Sequence, residues 1–277
     1  MQKNTEKKSN KTNKGERKMQ IIIPMTGYGS RFVAAGYKDL KPFIKVYGKP
    51  IIQWIIDGMY PGEKNIIFVC RKEHLDSIPN MREELLRICP TAKIFEVDPW
   101  VKKGPVYDVL RAGEYIDDNE QAIINYCDFY MQWDWDKFKT DVNERGCDGC
   151  IPCYTGFHPH LIPEKNVYAS CLVDDNNDLI EIREKYSFDP NKCKTNHSPG
   201  VYYFKSGHLL KKYCQTLVDS NCTLNNEFYA SLPFNFMVKD DLKVWVPTNV
   251  DYFCQWGTPE DLQEFLYWTQ LIKGANR

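Results

Sequence analysis

The chain has no apolar run long enough to cross a membrane. It also lacks a leader with a basic start and an apolar stretch, so a cytoplasmic protein is expected. Net charge is almost absent. Lys and Arg number 36 against 37 Asp and Glu, leaving −1, so no global field points to nucleic acid and any anion site must be local. The first eighteen residues contain no large apolar side chain after Met1, and they carry seven Lys/Arg against two Glu. Such a segment cannot bury enough to order itself, so 1–18 is expected to be a disordered basic tail ahead of a domain spanning 19–277. Past residue 18 there is no internal repeat and no low-complexity linker. Eleven cysteines would suit a disulfide scaffold in a small secreted chain, but 277 residues can build a core without staples. Reduced thiols serving as small apolar residues are the expectation.

Two common phosphate motifs are missing as well. The Gly-Lys pair at Gly48-Lys49 is followed by Pro50, not Ser or Thr, and the third glycine of a dinucleotide fingerprint is replaced by Phe32.

What the chain does contain is alternation. Ile21–Pro24 reads as a strand, Pro50–Gly58 as a helix entered at Pro50, Asn65–Cys70 as a buried strand and Leu75–Ile88 as a helix. Ala92–Glu96, Ala122–Cys127 and Cys150–Tyr154 read as strands, with helices at Val106–Tyr115 and Trp135–Arg145 between them. This rhythm predicts βαβ units on a mostly parallel sheet, an α/β fold. Further on, Tyr168–Val173 and Leu179–Arg183 flank an Asp/Asn-rich turn and predict a hairpin. Val201–Phe204 reads as a strand, Ser206 as the cap of a helix to about Leu217, and Asn225–Ser231 and Thr258–Lys273 as helices. Thr258-Pro259-Glu260-Asp261 is a strong helix start, with the hydroxyl at the cap, proline at the first position and acids in the first turn.

Residues 20–50 hold the densest chemistry. The run Ile21 to Ile23 feeds a turn built on Gly27 and Gly29, Arg31 follows, and Lys41-Pro42 comes ten residues after Arg31. Glycines at a strand end expose backbone N–H groups, and Arg and Lys add fixed positive charge. Together they form a cradle for a polyphosphate. A turn without a ligand gives no reason for Arg31 and Lys41 to flank so small a loop.

This pattern resembles the signature loop of the nucleotidyltransferases that join an NTP to a sugar 1-phosphate, Gly-x-Gly-x-Arg followed by Lys-Pro. The resemblance continues in chain order over about residues 19–270. Lys103-Gly104-Pro105-Val106 stands where the family has Gly-Thr-Ala near the nucleotide base. Asn125-Tyr126-Cys127-Asp128 resembles its Asn-Gly-Asp, Glu184-Lys185 its Glu-Lys-Pro with Tyr186 replacing the proline, Ser198-Pro199-Gly200-Val201-Tyr202 its Gly-Ile-Tyr, and Gly257-Thr258-Pro259-Glu260-Asp261-Leu262 its Gly-Thr-Pro-x-Asp-Leu. The fold it implies is GT-A-like: a Rossmann-like mixed, mostly parallel sheet with a small inserted acceptor-binding lobe.

The implied reaction is an in-line attack of a phosphomonoester on the α-phosphorus of an NTP, with pyrophosphate leaving. Two polyanions must meet, so charge neutralisation and alignment are the protein's task. By resemblance, Met25, Thr26, Gly27, Gly29, Ser30 and Gly104 bind the nucleotide. Arg31 holds the leaving pyrophosphate, Lys41 sits between α-phosphate and leaving group, and Asp128 binds Mg²⁺. Lys185 takes the acceptor phosphate, Glu227 acceptor hydroxyls, and Gly200 leaves room for the acceptor ring. The family often has a second metal-binding Asp two residues before the Gly-Thr-Pro glycine. Here that place is Gln255, and Asp251 is the nearby acid that would substitute. CTP or UTP is the expected nucleotide, and surface-polysaccharide synthesis the expected setting. The expected partners are the NTP and a small phosphorylated acceptor, with no nucleic acid and no membrane, and a homo-oligomer remains open.

Other constellations have plainer explanations. Cys147, Cys150 and Cys153 with His158 or His160 have zinc-like spacing, yet no second Cys-x-x-Cys follows and the segment suits a buried strand. Asp134-Trp135-Asp136 resembles the Asp-x-Asp of glycosyltransferases that consume NDP-sugars, or it begins a helix with acids at its N-terminus. A catalytically weakened nucleotide-binding subunit is the third alternative, prompted by Gln255.

Overall fold

In the computed structural model, the structure describes residues 18–162 and 168–275. The tail expected over 1–18 lies outside them except for Lys18. Seven strands form the central sheet, in spatial order Val244–Trp245, Gly149–Cys150, Val201–Phe204, Gln121–Asn125, Met19–Pro24, Ile66–Arg71 and Lys93–Val97. Four of its six pairings are parallel, and only Val201–Phe204 runs against its two neighbours. The sheet is therefore mixed and mostly parallel, as the alternation predicts.

Both faces are covered, which is why the central strands read as unbroken apolar runs and not as alternating ones. Ile21, Ile23, Ile66, Phe68 and Ile123 belong to one core cluster, while Ile22, Ile67, Val69, Ala122 and Ile124 belong to the other. Register ties the strands together at Ile21↔Ile66 and Ile21↔Ile123. The parallel strands thus all end on one side, at Pro24, Arg71, Val97 and Asn125. Ligands of open α/β sheets gather beyond such ends.

A three-stranded sheet, in order Leu179–Arg183, Ser170–Val173 and Asn196–His197, is inserted between Gly149–Cys150 and Val201–Phe204. It is the small lobe that the resemblance implies. Phe129–Gln132 and Tyr252–Gln255 form a further antiparallel pair, with Gln255 opposite Phe129. Ser206 caps the Gly207–Asp219 helix by accepting the Leu209 N–H, a contact worth about 1 kcal/mol. Thr258 does the same for Pro259–Ala275, accepting the Asp261 N–H.

Several expectations need correction. The helix expected at Leu75–Ile88 is two helices, Lys72–Ser77 and Met81–Ile88, because Pro79 lies between them and Asn80 takes φ 57°. Val106–Tyr115 ends as a helix at Arg111 and finishes as a 3₁₀ turn over Gly113–Tyr115. The strand expected at Cys150–Tyr154 shrinks to Gly149–Cys150. Asn225–Ser231 is no helix: Asn225 and Asn226 both have positive φ and close a tight turn in which Leu224 and Glu227 exchange both backbone hydrogen bonds. Adjacent asparagines tolerate that left-handed conformation, and it outweighs the apolar spacing. The helical segment nearby is Pro233–Lys239.

Every described cysteine is free, and all but Cys127, Cys193 and Cys222 are buried. Among the described residues no helix is long and apolar enough to cross a membrane.

Candidate active site

Beyond the strand ends lies a cavity of about 450 Å³. It is lined by Met25, Thr26, Gly27, Gly29, Ser30, Arg31, Lys41, Gly104, Asp128 and Glu227, which places ten sequence-expected residues around one space. The Met19–Pro24 strand delivers the loop, and Gly29 turns it with φ 62° to start the short Ser30–Ala34 helix. A Cβ on Gly29 would press within 3.3 Å of Lys41 Cβ, so glycine here lets the lysine segment close on the loop. Among the described residues no acceptor takes the backbone N–H of Gly27, Tyr28 or Gly29. Three free donors beside a cavity form an anion cradle.

Charge concentrates at one end. Lys41 Nζ meets Asp128 Oδ2 at 2.6 Å, with the two side chains 15% and 30% exposed. The distance is that of a charge-assisted hydrogen bond. Arg31 is exposed and, among the described residues, has no carboxylate within ion-pair distance. Its field still reaches Asp261, whose carboxyl burial pushes up and whose pKa a Thr258 hydrogen bond and Arg31 pull back. The chemistry available here is cationic binding of phosphate oxygens beside one carboxylate at a strand end.

The donor set can be tested against Mg²⁺. No group of three or more His, Cys, Asp or Glu able to hold a metal occurs among the described residues. Mg²⁺ is ordinarily bound by one or two carboxylates, with substrate phosphates and waters completing an octahedron. Asp128 fits that use, with the remaining oxygens brought by a nucleotide. Gln255 is its neighbour: a Cβ on Gly257 would stand 2.8 Å from Gln255 Nε2 and 3.2 Å from Asp128 Oδ2. Asp251 is not brought to the site. It is exposed, its N–H is held by the Gln132 carbonyl at the far end of the strand pair, and it does not line the cavity. Strand geometry explains this: it lies four residues before Gln255, about 13 Å along an extended chain.

Of the expected acceptor residues, Glu227 lines the cavity, and Lys185 and Gly200 stand behind rings that do. Lys185 has φ 54°, unusual for a side chain with a Cβ, and its ammonium lies 5.5 Å from the ring centre of Tyr229, which lines the cavity. Gly200, at φ 112°, packs behind the wall, where a Cβ would come within 3.0 Å of the Tyr126 ring and 3.1 Å of Phe129. Tyr126 lines the cavity and accepts the Ala230 N–H at 3.0 Å. Glu227 is paired with Lys102 at 3.2 Å across the rim. Gly104 permits this closeness, since a Cβ there would lie 2.7 Å from the Phe228 nitrogen.

Sequence reasoning missed several residues here. Glu184 accepts the Ser231 hydroxyl, and burial pushes its carboxyl up to about 7. Tyr28, Trp100, Asp108 and Tyr229 line the cavity with no motif to flag them. Tyr168 has its phenol pushed up by burial and then by Asp261 and Asp128, and it hydrogen-bonds Gln255. One signal was available: Arg71 ends an otherwise apolar strand, Ile66–Arg71.

The discounted motifs lie elsewhere. Asp134 caps its helix by accepting the Lys137 N–H, and Asp136 pairs with Lys139. Asp136 lines a different cavity, beside Met19 at the opposite end of the first strand. Cys147, Cys150 and Cys153 are buried in the core, each thiol pushed up by desolvation.

No protein-family model and no curated protein sequence matches the chain. Solved structures do match. A nucleoside-diphosphate-sugar pyrophosphorylase from Vibrio cholerae RC9 superposes with a TM-score of 0.70 at 17% identity, covering 90% of this chain and 100% of that one. A UDP-glucose pyrophosphorylase complexed with UDP-glucose gives 0.69 at 16%, covering 92% and 99%. The inositol-1-phosphate CTP transferase from T. maritima gives 0.67 at 16%, covering 91% and 94%. The sheet described above, its inserted lobe and these likenesses together identify the fold of this chain as that of the GT-A-like nucleotidyltransferases.

Proposed function

We propose that the protein transfers a nucleotidyl group from an NTP to a sugar 1-phosphate or a similar phosphomonoester and releases pyrophosphate. The observation that carries this reading is the convergence of Arg31, Lys41, Asp128 and three free loop N–H groups on one cavity. The loop N–H groups and Arg31 grip the β- and γ-phosphates, and the rigid fork of Arg31 suits a departing pyrophosphate. Lys41 turns from Asp128 to the α-phosphate as charge builds there, since both groups lie at the cavity edge. Asp128 would hold Mg²⁺, which supplies Lewis-acid neutralisation of the phosphates. No side-chain nucleophile is needed, because the acceptor phosphate is itself the attacking group.

The acceptor enters on the side of Lys185, Tyr229, Glu184 and Glu227. There Lys185 takes its phosphate, and the carboxyls and Tyr229 take hydroxyls. We favour CTP or UTP. This is supported by two similar structures, one named a CTP transferase and the other holding UDP-glucose. Free, mostly buried thiols agree with a reduced cytoplasmic setting, and polysaccharide synthesis is the setting in which such activated sugars are consumed. The glycosyltransferase alternative loses its metal motif, since Asp136 faces away from the cavity. The weakened-subunit alternative keeps one observation, the amide of Gln255 beside Asp128.

The test is pyrophosphate release with Mg²⁺, each NTP in turn and a panel of phosphomonoesters. Acceptor-dependent release is expected. Hydrolysis of NDP-sugars without pyrophosphate would support the glycosyltransferase alternative, and tight nucleotide binding without turnover the weakened subunit.

A further inference from the structure

Residues outside the expected set converge on the phosphate loop from behind. Arg71 is 1% exposed at the end of its strand. Its guanidinium sits in the corner made by two rings, 3.5 Å from the centre of Tyr28 and 3.6 Å from that of Trp100. Nε, at 3.1 Å, and Nη2 both donate to the Thr26 carbonyl. From the other side Asp108 Oδ2 accepts the Thr26 hydroxyl and, at 3.4 Å, the Trp100 indole N–H. Thr26 is held by carbonyl and hydroxyl at once, and Tyr28 by its ring face. Gly27, with a free N–H, lies between them in the chain.

A buried guanidinium is costly unless it is paired. Here the carboxylate in reach, Glu73 Oε2, is 3.6 Å from Nη1 on a largely exposed side chain, and Nη1 has no hydrogen-bond acceptor. An apolar side chain of similar volume would fill the space without that cost. It could not hold a carbonyl with two N–H groups while bringing cationic charge against two rings that stand edge to face. What the guanidinium adds is therefore geometry imposed on the loop, not core stability.

We propose that Arg71 is a positioning residue. It clamps the Thr26–Tyr28 segment so that the loop is in its anion-binding shape before nucleotide arrives, with Asp108 as its counterpart on the hydroxyl side. The clamp lowers the ordering cost of binding, and Tyr28 and Trp100, held edge to face at 5.2 Å, become a fixed wall of the cavity. The inference rests on the nucleotidyl-transfer reading for what the loop binds, but not for the clamp itself.

Two measurements test it, one of them free of any substrate. In ligand-free protein labelled with ¹⁵N-glycine, the order parameters of Gly27 and Gly29 should be about 0.85 in wild type and below about 0.6 in Arg71→Met and Tyr28→Ala. Tyr28 is 52% exposed, so its variant keeps the fold even where a buried substitution would not. Arg71→Lys keeps charge but loses the planar fork, and should behave like Arg71→Met. In turnover, KM for the NTP should rise about tenfold, with kcat within about twofold and the acceptor KM unchanged. Loops as rigid in all three variants as in wild type would overturn the proposal, as would an unchanged NTP KM. If wild type turns over no NTP while the glycine order parameters still separate, the clamp stands and the nucleotidyl-transfer reading falls.

Discussion

On the proposed function the site has a phosphate end and an acceptor end, and the two are built differently. The phosphate end comes mainly from one contiguous stretch, residues 25–31 and Lys41, with Asp128 added from a second strand end. The acceptor end is assembled from segments far apart in the chain: Glu184 and Lys185 after a lobe strand, Gly200 before a sheet strand, Glu227 and Tyr229 beyond a tight turn. At the first end charged groups touch the cavity directly. At the second, Glu227 lines the cavity, while Lys185 lies behind the Tyr229 ring and Gly200 behind that of Tyr126. An end whose chemistry is the same for every substrate, the triphosphate, can be written as a short motif. An end that must fit a particular acceptor is written in scattered side chains.

Substitutions should therefore separate the two ends. The largest effect is expected from Arg31→Ala: kcat/KM for pyrophosphate release should fall about 10³-fold, as when a transition-state charge donor is removed. Because Arg31 is exposed, the melting temperature should shift by no more than about 1 °C. Equal loss of activity and stability would break the assignment. Lys41→Met should cost about 10²-fold in kcat with a smaller change in NTP KM, measured by steady-state kinetics. Lys185→Ala should instead raise the acceptor KM about tenfold and leave the NTP KM unchanged. If both KM values move together, the two ends are not separate.

Gln255→Asp sharpens the metal side of the comparison. A second carboxylate beside Asp128 should tighten Mn²⁺ binding to the nucleotide-free protein about tenfold, read by electron paramagnetic resonance. No change would mean that Gln255 does not face the metal position.

The smallest effect concerns Glu184. Burial raises its folded-state pKa from the ordinary 4.5 to about 7, so between those values the folded protein keeps a proton that the unfolded chain has lost. Stability on this account falls as pH rises through that window. Glu184→Gln should therefore melt higher than wild type at pH 8, and the difference should shrink toward pH 5. A difference independent of pH would place the carboxyl in ordinary solvent.

The sheet was legible because both of its faces are buried, which makes strands such as Ile66–Arg71 stand out as apolar runs. The cavity-lining loop at 25–31 was legible because glycines and cations stand close together in it and just after it. Less legible were features set by tertiary contact or by turn chemistry. Asn225-Asn226 closes a turn inside a segment with helical spacing, and Pro79 divides a helix that the apolar pattern runs through. Asp251 lies near Gln255 in sequence, but the extended strand between them carries it out of reach. Arg71, Trp100 and Asp108 meet only because three strand ends and the loops after them converge, and no spacing encodes that.

The most direct measurement follows the label from NTP phosphorylated with ³²P at the α or the γ position, in the presence of Mg²⁺ and an active acceptor. The α-label should move to the nucleotidylated acceptor while γ-label leaves in pyrophosphate, and Arg31→Ala should slow both about 10³-fold. Transfer of γ-label to the acceptor, or α-label released as free nucleotide with the acceptor unmodified, would contradict it.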